Sequence, residues 1–174
     1  ASTAIDDIRI TKVGHFLRKY KIDEIPNLFN ILIGQMSFVG PRPNLKRETD
    51  LYTKQERNLL SIKPGVTDFA SIVFSDEGNI LEGSSDPDLV YNQLIRPWKS
   101  RLGLLYIENK SIFLDLKLIF ATILAILSKR KALAIVVKTL QSKSSDSLLI
   151  NICKRENKLK PYPPPGSKSI IMNR

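Results

Sequence analysis

The sequence predicts an α+β fold, a single helix-rich domain with a few short strands and amphipathic helices. Three observations support this prediction. The chain has 174 residues, enough for one domain with a hydrophobic core. Its composition, 43% hydrophobic and 25% charged, is typical of a globular protein. Most apolar residues recur at steps of three and four, which is the helical spacing, and strand-like runs are short.

The first elements are two short helices. Thr11 can cap the first, whose polar side carries Arg18. For Arg18, a solvated surface position is as good an interpretation as a functional one. The second helix is predicted over residues 24–33 and stops at Gly34. Pro26 fits in its first turn, where the missing N–H costs nothing.

Two adjacent carboxylates, Asp23 and Glu24, stand at the start of the second helix. Free backbone N–H groups and the positive end of the helix dipole stabilise ionised carboxylates there and attract phosphate. An ionised aspartate can attack a phosphoryl group, but two negative charges repel an anionic substrate. Mg²⁺ would resolve this conflict because it binds carboxylate and phosphate oxygens together. Taken alone, however, such a pair is more often ordinary helix capping than a catalytic site.

A rigid elbow, Gly40-Pro41-Arg42-Pro43, follows a short strand predicted over residues 36–39. The planar guanidinium of Arg42, held between two prolines, can bind phosphate through two hydrogen bonds with little entropy to lose. To bring Arg42 near Asp23, the chain must return along the length of the second helix. Lys63, in a tight Lys63-Pro64-Gly65 turn, can also contact phosphate, although a solvated lysine is the default interpretation.

The middle of the chain contains further helix and strand signals. Thr53 and Glu56 form a capping box that opens a short helix. Residues 70–74 are predicted as a second strand, which a turn joins to a partner near residues 80–81.

A strong helix start, Ser85-Asp86-Pro87, follows that region. The helix is predicted to run to Arg96, where Pro97 breaks or kinks it. A second helix then starts at Trp98 and ends near Asn109.

Ser111 opens a long apolar helix over residues 112–127. At ~1.5 Å per residue it reaches about 24 Å, short of the ~30 Å bilayer core, so it is not a transmembrane span. Two interpretations stay open: a buried core helix, or a helix on a bilayer surface with the basic residues 129–131 at its end. The core interpretation is slightly favoured because Asp115 and Lys117 cluster at one end. We expect Asp115 to pair with a basic residue.

Charge divides the chain. Its net charge is +10, but residues 1–127 hold sixteen basic and fifteen acidic residues, so the excess belongs to the C-terminal part. We predict a domain over residues 1–141 and a basic, Ser- and Pro-rich tail over residues 142–174. Within these parts, residues 132–140 and 148–153 are predicted as further helices. No nucleic-acid motif accompanies the basic residues, which favours anionic lipid or solubility as their role. The single Cys153 excludes an internal disulfide and suits a reducing, cytoplasmic setting.

Residues 19–43 closely resemble the signature of the bacterial sugar transferases, the monotopic polyprenyl-phosphate phosphoglycosyl transferases. The resemblance continues through residues 63–67 and 106–120 and covers residues 8–127. The chain departs from much of the family at residues 68–71, where Asp-Phe-Ala-Ser replaces the more frequent Gly-Trp-Ala-Gln. In this chain, residues 19–43 are Lys-Tyr-Lys-Ile-Asp-Glu-Ile-Pro-Asn-Leu-Phe-Asn-Ile-Leu-Ile-Gly-Gln-Met-Ser-Phe-Val-Gly-Pro-Arg-Pro.

The resemblance implies an enzyme that transfers a sugar 1-phosphate from a UDP-sugar to undecaprenyl phosphate and releases UMP. This would be the first membrane step of bacterial polysaccharide or glycoconjugate synthesis. The resemblance places the nucleophile and the Mg²⁺ ligand on Asp23, with a phospho-aspartyl intermediate, and a second required carboxylate on Glu24. The substrate-binding residues predicted from the resemblance and from the residues themselves are Arg18, Pro41, Arg42, Pro43 and Lys63.

The resemblance also implies a location at the cytoplasmic face of a bacterial inner membrane, with amphipathic helices near the membrane surface. The family's N-terminal membrane helix is not in this sequence. We therefore expect the chain to be the catalytic portion of a longer protein or a truncated relative. The expected partners are a UDP-sugar, undecaprenyl phosphate and an anionic membrane surface, but not nucleic acid, and a homodimer stays open.

Two other functions are kept as alternatives. The first is a non-catalytic membrane-surface interaction module left by loss of the anchor. The second is a nucleic-acid-binding protein that uses the basic residues 128–174, which the missing motifs disfavour.

Overall fold

The computed structural model describes residues 10–19, 22, 25–42 and 44–172, and of residues 15, 18, 19 and 47 the backbone alone. Over these residues the chain is mainly helical and has one two-stranded sheet. The predicted helix-rich α+β fold is therefore confirmed.

The two predicted N-terminal helices are present. Helix α1 spans Lys12–Lys19, and the Thr11 hydroxyl accepts a hydrogen bond from the Gly14 N–H at 3.0 Å, as a cap should. Helix α2 spans Ile25–Leu32, and the turn after it contains Gly34, whose φ is +78°. Glycine adopts this left-handed conformation at little cost, which explains why α2 stops there.

The sheet consists of two parallel strands, β1 (Ser37–Val39) and β2 (Gly65–Thr67), whose first and last residues are aligned. Strand β1 confirms the strand predicted over residues 36–39. The second strand predicted over residues 70–74, with a partner near residues 80–81, is wrong. Those two segments lie in helices.

Helices α4 (Phe69–Val73) and α5 (Glu77–Ile80) occupy the region predicted as strands. Asp68 Oδ1 accepts a hydrogen bond from the Ser71 N–H at 2.7 Å, and the Ser71 hydroxyl accepts one from the Asp68 N–H at 2.8 Å. This capping box favours a helix start and overrides the strand propensity of the β-branched residues that follow. A short apolar run does not by itself distinguish a buried strand from a buried helix.

Helix α3 (Lys46–Thr49) and a 3₁₀ helix (Glu56–Ser61) lie between the two strands. The capping box predicted for the second of these is present. The Thr53 N–H donates to Glu56 Oε2 at 3.0 Å, and the Glu56 N–H donates to Thr53 Oγ1 at 3.1 Å. The box thus opens a short helix, as predicted, although the helix is 3₁₀.

Helix α6 (Pro87–Val90) starts at Asp86, whose Oδ1 accepts a hydrogen bond from the Leu89 N–H at 3.0 Å. A π-helical turn, Tyr91–Ile95, connects it to α7 (Arg96–Asn109). The predicted change of helix near Pro97 is present, but the first α-helix ends at Val90 and not at Arg96, and the second begins at Arg96 and not at Trp98. The proline lies in the first turn of α7, where its missing N–H is tolerated.

Three helices complete the chain: α8 (Ile112–Leu127), α9 (Lys129–Lys143) and α10 (Ser147–Lys154). The bounds of α8 are those predicted, α9 is longer than predicted, and α10 confirms the helix expected near residues 148–153. Each starts directly after a side chain that accepts a hydrogen bond from its first turn, namely Ser111, Ser128 and Asp146.

The hydrophobic core lies where α4 packs against α7, α8 and α9. Helix α10 packs on α9 and α7 and closes the core on that side. The largest apolar side chains that are fully buried include Phe69, Ile72, Trp98, Leu102, Tyr106, Leu118 and Leu140.

Much of the segment predicted as a basic tail lies against this core. Leu149 and Cys153 of α10 are buried in it. The Tyr162 ring stacks on the Trp98 ring with 4.5 Å between their centres, and Gln93 Nε2 donates to a carbonyl oxygen, that of Ile171, at 2.8 Å. The segment that charge separates from the domain therefore shares the domain's core.

Candidate functional site

The predicted catalytic pair lies outside the described residues. This applies to Asp23, Glu24 and Pro43, and also to the side chain of Arg18. The structure does show that α2 begins at Ile25, the residue that directly follows the pair in the sequence. The roles of these residues stay predictions.

The elbow after β1 and the turn before β2 lie against each other. The Gly40 N–H donates to the Thr67 carbonyl oxygen at 2.9 Å, and the Gly65 N–H donates to the Pro41 carbonyl oxygen at 3.1 Å. A Cβ on Gly65 would lie 2.1 Å from the Gly40 nitrogen, so no side chain fits there. The structure therefore joins two motifs that lie far apart in the sequence.

Asp115 supports the same junction through a tyrosine. The Tyr106 hydroxyl lies 2.7 Å from Asp115 Oδ1 and 3.3 Å from the Val39 carbonyl oxygen at the end of β1. Burial, and then the nearby carboxylate, raise the pKa of Tyr106, so the phenol keeps its proton and donates it. Within the described residues Asp115 forms no ion pair, so the basic partner expected for it is not found there and a tyrosine takes its place. The first turn of α8 and the tyrosine hydroxyl stabilise its charge instead.

Lys63 lies at the far end of α2. A Cβ on Gly34 would be 3.7 Å from Lys63 Nζ, which places the ammonium beside the C-terminal end of that helix. A cation is stabilised there by the negative end of the helix dipole. The opposite end of this eight-residue helix, at Ile25, is about 12 Å away along its axis. The predicted phosphate contact of Lys63 stays a prediction.

Pro41 and Arg42 line a pocket of about 230 Å³ between the elbow, the 3₁₀ helix, α4 and the start of α7. Pro41 is buried and Arg42 is exposed. The other polar side chains of the lining include those of Tyr52, Asp68, Ser71, Tyr91 and Lys99.

The pocket contains a fixed cation. Lys99 forms an ion pair with Glu77, and its Nζ lies 5.2 Å from the centre of the Tyr91 ring. Burial works against the ammonium, but Tyr91 and Glu77 outweigh it and raise the pKa of Lys99. Burial also raises the pKa of Tyr91 to about 12, so its phenol is neutral. At neutral pH the pocket therefore offers the Lys99 ammonium and the neutral phenolic hydroxyl of Tyr91.

Asp68 is the acid of this pocket and is only 3% exposed. Burial raises the pKa of its carboxyl group. The hydrogen bonds from Ser71 and the charges of Lys99 and Arg42 act in the opposite direction. Sequence analysis noted residue 68 as a departure from the family pattern, but it did not predict that the side chain would line a pocket.

A buried ion pair, which sequence analysis missed, lies beside the pocket. Arg96 Nη2 donates to Glu56 Oε2 at 2.6 Å and Arg96 Nε donates to Oε1 at 3.1 Å, while the Ser100 hydroxyl donates to Oε1 at 2.7 Å. The Glu56 side chain has no exposed surface and that of Arg96 is 3% exposed. The capping-box pattern identified Glu56, but no local pattern links it to an arginine 40 positions away.

Magnesium is predicted from the chemistry of the acid pair and from the resemblance. Within the part of the chain that the structure describes, no group of three or more His, Cys, Asp or Glu side chains could hold a metal ion. The predicted ligand Asp23 is not in that part. Mg²⁺ needs only one or two carboxylates when water and substrate phosphate complete its shell. The oxygen donors of Asp23 and Glu24 therefore fit this ion by their chemistry.

One face of α8 is open. Leu114, Leu118 and Ala121 are buried, so the core interpretation holds for one side of this helix. The opposite stripe is 57–82% exposed and consists of Ile112, Leu116, Phe120, Ile123 and Leu127. Helix α2 has no buried residue at all. None of the helices described is both long enough and apolar enough to cross a bilayer.

The chain belongs to the bacterial sugar transferase family, whose family model matches residues 1–129. This range includes the described elements from α1 to α8. The family assignment made from the signature residues is thus confirmed.

Three relatives illustrate the similarity. The UDP-glucose:undecaprenyl-phosphate glucose-1-phosphate transferase of Klebsiella pneumoniae is 40% identical over 68% of this chain and 24% of its own length. The uncharacterized sugar transferase EpsL of Bacillus subtilis is 37% identical over 70% of this chain and 52% of its own length. The undecaprenyl-phosphate galactose phosphotransferase of Salmonella typhimurium is 33% identical over 71% of this chain and 23% of its own length. The chain therefore matches about a quarter to a half of these relatives.

Proposed function

We propose that this chain carries the phosphoglycosyl transferase activity of its family. It would transfer a sugar 1-phosphate from a UDP-sugar to undecaprenyl phosphate, giving a polyprenyl diphosphate-sugar and UMP. The observation that carries the proposal is the family match over residues 1–129, which contains the acid pair and the elbow. The names of the Klebsiella and Salmonella relatives support the two substrates.

In the proposed reaction a carboxylate oxygen of Asp23 attacks the β-phosphorus of the donor. The bond from this phosphorus to the bridging oxygen breaks, and UMP leaves with that oxygen. A phosphate oxygen of the polyprenyl acceptor then attacks the same phosphorus and releases the Asp23 carboxylate. Glu24 supports the site beside Asp23. When bound by Asp23, Mg²⁺ supplies positive charge that offsets the diphosphate.

Arg42 is proposed to bind the diphosphate. Its backbone directly follows the junction of β1 and β2, where the hydrogen bonds of Gly40 and Gly65 fix the elbow. A rigid backbone of this kind lowers the entropy lost when a side chain binds phosphate. Arg18, Pro41, Pro43 and Lys63 complete the proposed substrate-binding set.

We also propose that α8 lies on an anionic membrane surface at the cytoplasmic face of the inner membrane. The exposed stripe from Ile112 to Leu127 is apolar, and two exposed basic residues, Arg130 and Lys131, follow it, while Lys129 between them and the stripe pairs with Asp76. A helix of this composition inserts its apolar face among acyl chains while basic residues contact headgroup phosphates. Such a position would hold the site near a lipid-borne acceptor.

The reaction is tested by replacing Asp23 with Asn in a full-length, membrane-anchored form and measuring UMP release from UDP-sugars. We expect loss of UMP release and of a covalent phospho-enzyme, and loss of UMP release from the unaltered protein when Mg²⁺ is chelated. Asp146→Asn is the matched control, because Asp146 also stands at a helix start but caps α10. Unchanged UMP release by Asp23→Asn would remove this residue from the mechanism. Vesicle binding without any phospho-enzyme would favour the non-catalytic membrane module.

A further inference from the structure

The pocket beside Arg42 contains a carboxylate oxygen that the fold does not use. Asp68 Oδ1 accepts the Ser71 N–H and completes the cap of α4. Within the described part of the chain, no group donates a hydrogen bond to Asp68 Oδ2. A cap needs only one oxygen, which Asn or Ser supplies without burying a charge. The Asp68 carboxyl group is 3% exposed and lines the pocket, so Oδ2 is an acceptor that a ligand in the pocket could use.

The pocket offers both hydrogen-bond donors and acceptors. The Lys99 ammonium donates, Asp68 Oδ2 accepts and the Tyr91 hydroxyl can do either, while the hydroxyl protons of Ser71 and Ser100 are donated to the Asp68 carbonyl oxygen and Glu56 Oε1 within the fold. A sugar ring matches such a lining because each of its hydroxyl groups can donate and accept at once. The ring of a nucleobase offers few donors for the same set of side chains.

Size limits what can enter. Pockets for complete drug-sized ligands measure about 300–1,000 Å³. At about 230 Å³, this pocket holds one part of a nucleotide sugar and not the whole donor. Arg42, the proposed diphosphate ligand, is the exposed cation of its lining, so a group attached to that diphosphate can reach the interior.

We propose that this pocket receives the sugar ring of the UDP-sugar and that Asp68 is a specificity-determining residue, whose Oδ2 accepts a hydrogen bond from a sugar hydroxyl or amino group. The inference rests on the proposed function and adds two details. The sugar ring is the part of the donor that the pocket recognises, and Asp68 is the residue that recognises it. Asp68 does not take part in the phosphoryl transfer.

The test compares the full-length protein with Asp68→Asn, which keeps an oxygen for the cap of α4. The probes are UDP-glucose, UDP-galactose, UDP-N-acetylglucosamine, a UDP-4-amino sugar, and UMP, which lacks a sugar. Equilibrium binding is measured for each probe, and kcat and KM for each donor. Asp146→Asn is the matched control, because it alters a helix-capping aspartate that does not line the pocket.

We expect Asp68→Asn to weaken binding of the best donor about tenfold, the size of one lost hydrogen bond in a buried site. The loss should appear in KM rather than kcat, should differ between donors, and should leave UMP binding within about twofold. An equal loss for all donors, a matching loss for UMP, or no change would overturn the proposal. If donors bind selectively through Asp68 but no UMP is released by the unaltered protein, the proposed function fails while the pocket assignment stands.

Discussion

Helices α7 and α8 follow each other in the chain and have similar lengths, but the more polar one is the more buried. Helix α7 contains four charged residues and buries eight of its fourteen residues. Helix α8 contains two charged residues and buries only three of sixteen. Apolar composition therefore does not predict which of the two helices lies inside.

The difference follows from whether the polar side chains of each helix find hydrogen-bond partners within the fold. The polar side chains of α7 have partners within the fold, since Arg96 and Ser100 bind Glu56, and burial then costs little. The outer stripe of α8 needs no partner to satisfy hydrogen bonds, but it leaves apolar surface in contact with water. Contiguous apolar patches of this kind typically mark an interaction surface. The proposed function places this one on a membrane surface.

The largest expected effect concerns the buried helix α7. Arg96→Met leaves the Glu56 carboxylate buried without its counter-charge, which should lower the free energy of unfolding by about 3–5 kcal/mol. Urea denaturation measures the loss. The double variant Glu56→Gln/Arg96→Met should be more stable than Arg96→Met alone, because no unpaired charge is left. If the single variant lost less than about 1 kcal/mol, the ion pair would not explain the burial of α7.

The next effect separates the two faces of α8. Leu118 is 2% exposed and Leu116 is 60% exposed on the same helix. Leu118→Ala should lower the free energy of unfolding by about 2–5 kcal/mol through cavity formation. Leu116→Ala should change it by no more than about 0.5 kcal/mol. Equal losses in urea denaturation would contradict the two-sided description of α8.

A smaller effect concerns what covers the open face. Phe120, 59% exposed, should enter the acyl region of a vesicle containing anionic lipid. Phe120→Asp removes an apolar contribution of about 1.5–3 kcal/mol, so vesicle binding in a co-sedimentation assay should fall at least about tenfold. Gln141→Asp adds the same charge at an exposed position of α9 and serves as control. Equal binding by both variants would show that α8 is not the membrane contact.

The smallest effect concerns Asp76. Its carboxylate pairs at 2.8 Å with Lys129, the first residue of α9, and at 3.2 Å with Arg155. Burial opposes the carboxylate, but the two cations outweigh it and lower the pKa of Asp76 below its ordinary value of 3.8. A depressed pKa stabilises the fold above that ordinary value, and this stabilisation is lost as the pH falls towards the folded pKa. The stability difference between the unaltered protein and Asp76→Asn should therefore shrink in denaturation curves below about pH 4. A difference that is constant with pH would remove the ion pairs as its cause.

Much of the fold could be predicted from local patterns. The caps at Thr11, Asp86 and Ser111 and the stop at Gly34 depend on a side chain and the few residues beside it, so their spacing is visible in the sequence. The failure at residues 70–74 has a local cause as well, because the Asp68–Ser71 capping box was read as a departure from a family pattern and not as a helix start.

The candidate site, too, could be predicted only in part from the sequence. The signature string was enough to assign the family and to propose Asp23, Glu24 and Arg42. The pocket could not be predicted, because it is assembled from the elbow, the 3₁₀ helix, α4 and α7, which are distant in sequence. The partner of Asp115 was missed for the same reason, since a tyrosine hydroxyl carries no charge pattern that would reveal it.

The sequence by itself determined where most helices begin and end and to which family the chain belongs, because both depend on short strings of residues. Only the tertiary structure decided that a charged helix is buried and an apolar one half exposed, and that Asp68 lines a pocket beside Arg42. Burial depends on which segments pack together and on whether each polar group finds a partner, and those partners are distant in the chain.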